Sequence, residues 1–178
     1  YYLASPLNWL VILCPKAYII EFMTGMIVVK IGLSGLSFAW YLRKHCHTET
    51  AAVGYFGIFY ALSGYMAAYS WNIMWLDCIV LLPLILHGLE RLVREKKGLF
   101  YCLMLGLSIL SNYYISIMIC LFMVIYYVAL LFLEKRPGWK DCLHSFFLFG
   151  VYSLLAGALA AAVLLPEIAA LQGTASGD

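Results

Sequence analysis

Residues 60–77 read YALSGYMAAYSWNIMWLD. One apolar helix ends here, a short turn follows, and a second apolar helix begins. The stretch gathers the rings of Tyr60, Tyr65, Tyr69, Trp71 and Trp75 with the amide of Asn72 and the carboxylate of Asp77. Trp and Tyr collect at membrane–water boundaries because each joins an apolar ring to one polar atom that stays wet. Two readings fit: an aromatic belt around a helical hairpin, or a rim on which Asn72 and Asp77 handle a polar head group.

The bulk composition places this hairpin in a bilayer. The chain has 178 residues, 65% hydrophobic and 11% charged, with a formal net charge of +2, and its mean hydropathy is +0.94. A soluble domain carries about 25% charged and 45–50% apolar residues. The expected fold is therefore all-α, a polytopic transmembrane helical bundle. The chain opens on Tyr1 without the basic and then apolar pattern of a signal peptide. It closes on a loop-like GTASGD, so it is expected to be an interior fragment of a longer membrane protein.

Working outward, residues 1–16 hold Pro6, Asn8, Trp9 and Pro15 and read as an outer interfacial segment. Residues 17–166 divide into about six membrane spans, at 17–42, 51–69, 78–92, 99–110, 115–133 and 143–165. The first is long enough for about 30 Å of hydrocarbon at about 1.5 Å per residue, and the fourth is short. Residues 167–178 form an outer loop. Nine of the eleven Lys and Arg fall in three stretches, 43–47, 91–97 and 134–140, which are alternate connections of a six-span zigzag. Basic loops stay in the cytoplasm, so these three are expected inside a bacterial cell membrane. The turns at 69–77 and 111–114, and both ends of the chain, are then expected outside.

Lys30 is the residue least at home in this scheme. It lies near the middle of the first span, where a Lys costs about 2.5–3.5 kcal/mol to insert. Ser34, Ser37 and Tyr41 follow on the same helical stripe, which is expected to line a cavity of the bundle. Snorkelling of Lys30, or a pairing for structure alone, is the alternative. The outer rim supplies the other candidates: Glu21, Asn72, Asp77, Asn112, Tyr113, Tyr114 and Glu167. Asp77 reads either as an N-cap, favoured by the free amides of a helix start, or as a group that binds a sugar hydroxyl or acts as a base. His45-Cys46-His47 reads as solvated loop, since three adjacent residues rarely close a tetrahedral metal site. His87 reads as a satisfied bundle residue. The six cysteines form no C-x-x-C pair, and no metal or cofactor is expected. No phosphate-cradling glycine loop, HExxH or G-x-S-x-G is present.

Five strings carry a family likeness, in order along nearly the whole chain: LASPLNWL, VVKIGLSGLSFAWYL, YALSGYMAAYSWNIMWLDCIVLLPLILHGLERL, LSNYYISIMIC and LLPEIAALQGT. With them the sequence resembles the YfhO family of bacterial membrane proteins, which looks like the GT-C glycosyltransferases. The resemblance implies transfer of a sugar from a polyprenyl-phosphate donor to an envelope polymer such as lipoteichoic acid, on the outer face of the membrane. It also implies a catalytic Asp in an outer loop ahead of Tyr1, so this stretch alone is expected to be inactive. Lys30 and the 69–77 segment lie within the matching strings. Lys30 is expected to neutralise the donor's phosphate. Asn72, Asp77, Asn112 and Tyr113 are expected to bind substrate, with Asp77 a further candidate for the catalytic group. A lipid-linked sugar flippase, or a membrane scaffold without catalysis, is the alternative. The bilayer is the expected surroundings, and no nucleic acid is expected as a partner.

Overall fold

The computed structural model describes residues 5–133, 138–162 and 165–166. After short 3-10 segments at Pro6–Leu13 and Lys16–Tyr18 come seven helices among the described residues. They are α1 (Ile19–Cys46), α2 (Ala52–Ala61), α3 (Gly64–Tyr69), α4 (Ile73–Glu95), α5 (Leu99–Ser111), α6 (Tyr113–Leu133) and α7 (Trp139–Leu159). The fold is an all-α membrane bundle. Four of these helices, α1, α4, α6 and α7, are long and apolar enough to cross a bilayer. The expected span at 51–69 is a helix broken at Leu62 and Ser63 into α2 and α3. The expected span at 99–110 is α5, 13 residues long.

α4 is the axis of the bundle. Of its most apolar stretch 56% is buried, against 22%, 28% and 11% in α1, α6 and α7. Leu76, Cys78, Ile85, Leu89 and Leu92 are fully enclosed. The outer helices turn large apolar side chains outward, among them Val28, Leu36, Phe59, Phe122, Phe132 and Leu154, as a lipid-facing surface requires.

Small residues set the closest helix crossings. α1 and α2 run antiparallel with Gly35 and Ala39 against Gly57 and Ala61. A Cβ on Gly57 would lie 2.8 Å from the Gly35 carbonyl oxygen, so the two backbones touch as in small-xxx-small pairs. At the α4–α5 crossing, a Cβ on Gly88 would lie 2.7 Å from Tyr101 Cα.

Two breaks in the helices are repaired by side chains. Pro83 lies inside α4 and donates no hydrogen bond to the carbonyl of Ile79 four residues back. The Tyr60 hydroxyl of α2 donates to that carbonyl instead, at 2.9 Å. Asn112 is extended between α5 and α6, and its Oδ1 accepts from the Ile115 amide at 2.9 Å. SNYY is therefore a capped helix–helix joint.

Candidate functional site

α1 and α4 lie parallel and are fastened to each other at two levels by polar side chains. Toward the start of both helices sits Lys30, wholly buried. Its Nζ donates to Asp77 Oδ2 at 2.9 Å, to the Ile73 carbonyl at 3.0 Å and to Asn8 Oδ1 at 2.8 Å. Nζ also lies 2.8 Å from Asp77 Oδ1. An ammonium has three donors, and all three are in use. Snorkelling is thus excluded by the geometry: the charge is held inside by a counter-ion and two neutral acceptors. The 3-10 geometry of Pro6–Leu13 brings Asn8 over α1 and completes this shell.

Asp77 differs from its expected place. α4 begins at Ile73 with Asn72 in the cap position, so Asp77 lies one turn inside the helix and caps nothing. Hydrophobicity alone put the start of this span at Cys78. The helix extends back through Ile73-Met74-Trp75-Leu76 because these apolar residues continue its buried face. Asp77 Oδ1 is buried and faces the Lys30 ammonium at 2.8 Å, with no other hydrogen-bond donor among the described residues. Asp77 borders a cavity of about 340 Å³ together with Ser5, Leu7, Leu81, Met104 and Ser111. Ser5 Oγ, also wholly buried, has no hydrogen-bond partner among the described residues.

The stripe Ser34, Ser37, Tyr41 is buried, with its hydroxyls taken up inside the protein. Ser34 donates to the Ile31 carbonyl and Ser37 to the Ser34 carbonyl, so both serines are satisfied by their own helix. Tyr41 belongs to the second level. Its hydroxyl donates to Glu90 Oε1 at 2.8 Å, and Tyr126 of α6 donates to the same oxygen at 2.6 Å. His45 Nδ1 lies 2.7 Å from it, and Arg94 Nη1 is 3.9 Å from Oε2. His45 is therefore helical and engaged, not part of a solvated loop.

Sequence reading missed Glu90, because LERLVREKK reads as a topology signal. Tyr41 follows Lys30 by about three helical turns on one face, but Glu90 follows Asp77 by 13 residues, about 3.6 turns, so regular helical spacing does not put it on the same face as Asp77.

The remaining candidates do not converge on the Lys30–Asp77 pair. Asn72 is buried at the head of α4. Asn112 is buried and occupied as the α6 cap, and Tyr113 is half-buried on the first turn of α6. Tyr114 is exposed, with its ring 6.5 Å from that of Trp75, in a chain of rings that runs on through Tyr69 to Tyr65. Glu21 is exposed on the first turn of α1, and Glu167 lies outside the described residues. His87 is half-buried against the edge of Trp40, 4.8 Å between ring centres. Its Nδ1 has no hydrogen-bond partner among the described residues, and its ring packs against Trp40 and Phe100. The six cysteines are all free thiols. No group of three or more His, Cys, Asp or Glu among the described residues could hold a metal.

The family model described as "Bacterial membrane protein YfhO" matches residues 1–176. The search of curated proteins and the search of solved structures returned no match. With nearly the whole length matched, and four apolar helices of spanning length around a buried ion pair, the chain belongs to the YfhO family of bacterial membrane proteins.

Proposed function

We propose that this chain is part of a GT-C-type membrane glycosyltransferase. It transfers a sugar from a polyprenyl-phosphate donor to an envelope polymer, such as lipoteichoic acid, on the outer face. The observation that carries this reading is the cavity beside Asp77. Its wall is apolar (Leu7, Val80, Leu81, Met104, Leu107), and Ser5, Asp77 and Ser111 border it. An apolar wall with a few polar groups suits a lipid tail whose polar end must be oriented. Ser5 Oγ, buried without a hydrogen-bond partner among the described residues, and the Asp77 carboxylate, paired with Lys30, are the hydroxyl and acceptor this reading offers to sugar hydroxyls.

The division of labour follows from the donors. Lys30 has none to spare, so it positions Asp77 rather than gripping the donor's phosphate. Asp77 is the group that meets substrate. Asn72 and Tyr113 stand at the same outer end as further contacts, and Asn112 fixes the α5–α6 joint beside the cavity. Inverting transfer also needs a base at the acceptor hydroxyl and stabilisation of the departing phosphate. The residues assigned here orient and do not supply either.

The test is sugar incorporation into lipoteichoic acid in cells whose sole copy of the gene carries Asp77→Asn, Lys30→Met, or Lys30→Met with Asp77→Leu. Breaking one partner of a buried ion pair is costly, whereas replacing both by apolar residues is often tolerated. The double variant is therefore expected to recover its membrane level while sugar transfer stays lost. Transfer that returns with the membrane level would make the pair structural and defeat this assignment.

A further inference from the structure

At the opposite end of the bundle lies a cavity of about 730 Å³, distinct from the one beside Asp77 and independent of the reading above. Trp40, Arg43 and Lys44 of α1, His87 and Arg91 of α4, and Phe100 of α5 line it. The cations come from two helices and face one space. Glu49 and Glu95 also border the cavity and pair with Arg43 and Arg91. Their side chains are 78% and 47% exposed, and exposed pairs of this kind are weak and readily exchanged for a stronger anion. Lys44 has no carboxylate partner among the described residues. His87 Nδ1 is a buried nitrogen without a partner in the same lining. One wall is apolar and aromatic: the His87 ring meets Trp40 and Phe100 edge to face and those two are tilted to each other, with centres 4.8–6.4 Å apart. One turn along α1 from Trp40 stands exposed Leu36, and one turn along α5 from Leu99 stands exposed Leu103. The charged pocket therefore opens onto the lipid-facing surface.

We infer that this pocket seats the phosphate of an anionic membrane phospholipid, with the acyl chains lying along the α1 and α5 faces. Arg43 and Arg91 offer forked donors to phosphate oxygens, Lys44 a point charge, and Trp40 the interfacial ring at chain level. The apolar continuation selects a lipid over a soluble phosphate. Basic side chains at a membrane surface attract anionic head groups by charge alone, so the test must separate a built seat from a charged rim.

The purified chain, in detergent micelles carrying phosphatidylglycerol and phosphatidylcholine in equal amounts, is passed into native mass spectrometry and its retained lipid counted. One phosphatidylglycerol per chain is expected, at roughly tenfold or more over phosphatidylcholine. Arg43→Gln/Lys44→Gln/Arg91→Gln is expected to lose it. Lys96→Gln/Lys97→Gln/Lys140→Gln, with the same loss of charge outside the lining, is expected to keep it. Equal retention of both lipids by the unaltered chain overturns the proposal, as does equal loss in both triple variants. Displacement by millimolar inorganic phosphate would show a soluble-phosphate site and overturn the lipid assignment. If the pocket triple variant fails to insert, Lys44→Gln is counted in its place. A Lys44→Gln chain that keeps the unaltered preference counts against the proposal.

Discussion

Tyr60 and Pro83 show how much a single hydroxyl can decide in this fold. The proline leaves the Ile79 carbonyl without a helical donor, and in hydrocarbon no water takes its place. Tyr60 supplies the bond, so Tyr60→Phe is expected to lower stability by about 1–2 kcal/mol, read as an earlier midpoint in SDS-induced unfolding. A midpoint that does not move would mean the carbonyl finds another donor. Lys30 is the larger case. Lys30→Met strands Asp77 in the bundle and is expected to cost about 3–5 kcal/mol, most of it recovered in Lys30→Met/Asp77→Leu. At this scale the sequence was half legible. An intramembrane Lys is conspicuous by cost alone, and Asp77 stood out by position. Their partnership was hidden because they lie on helices not adjacent in the chain. Tyr60 was read as a belt ring because a ring's apolar body and its hydroxyl point to different partners, and only coordinates show which one matters.

Helix ends were misplaced for an electrostatic reason. Arg43-Lys44-His45 reads as a loop by hydrophobicity, yet cations are favoured at the negative end of a helix, and α1 runs through them to Cys46. The joint at SNYY was legible as a break but not as a cap. Asn112→Ala is expected to cost about 0.5–2 kcal/mol, and Asn112→Asp to retain most of the stability, both read by the same SDS titration. The α1–α2 crossing gives a sharper test. Gly57→Leu places side-chain atoms where the Gly35 carbonyl already stands, so α1 and α2 must separate. The expected outcome is a loss of cross-linking between cysteines introduced at Phe38 and Tyr60, whose rings now stack at 4.5 Å. Undiminished cross-linking would show that the crossing adapts by tilting. Small residues at helix spacing were visible in the chain as a Gly-rich second span. Which helix they met was not visible, because small-xxx-small pairs name a kind of partner and not its identity.

Across the whole molecule, the charge asymmetry yields an orientation that can be measured. Cys46 is exposed at the basic end and Cys14 half-buried at the other. With basic loops inside, a membrane-impermeant maleimide is expected to reach Cys46 only after the cells are opened, and Cys14 without opening them. Labelling of Cys46 in intact cells would reverse the topology. The class of fold was legible from composition because a bilayer demands it. The central place of α4 was not, since every span here is apolar and only packing separates an axis from a periphery. The distance along the chain between Lys30 and its counter-ion has a consequence for synthesis. Asp77 follows Lys30 by 47 residues, a few seconds of synthesis at about 5–20 residues per second. For that interval α1 carries an unneutralised ammonium into oil, and α2 and α3 must be made in the meantime. α1 is therefore expected to stay with the insertion machinery until α4 arrives. A ribosome-arrested chain ending before Asp77 should leave α1 extractable by alkali, and one ending beyond α4 should not.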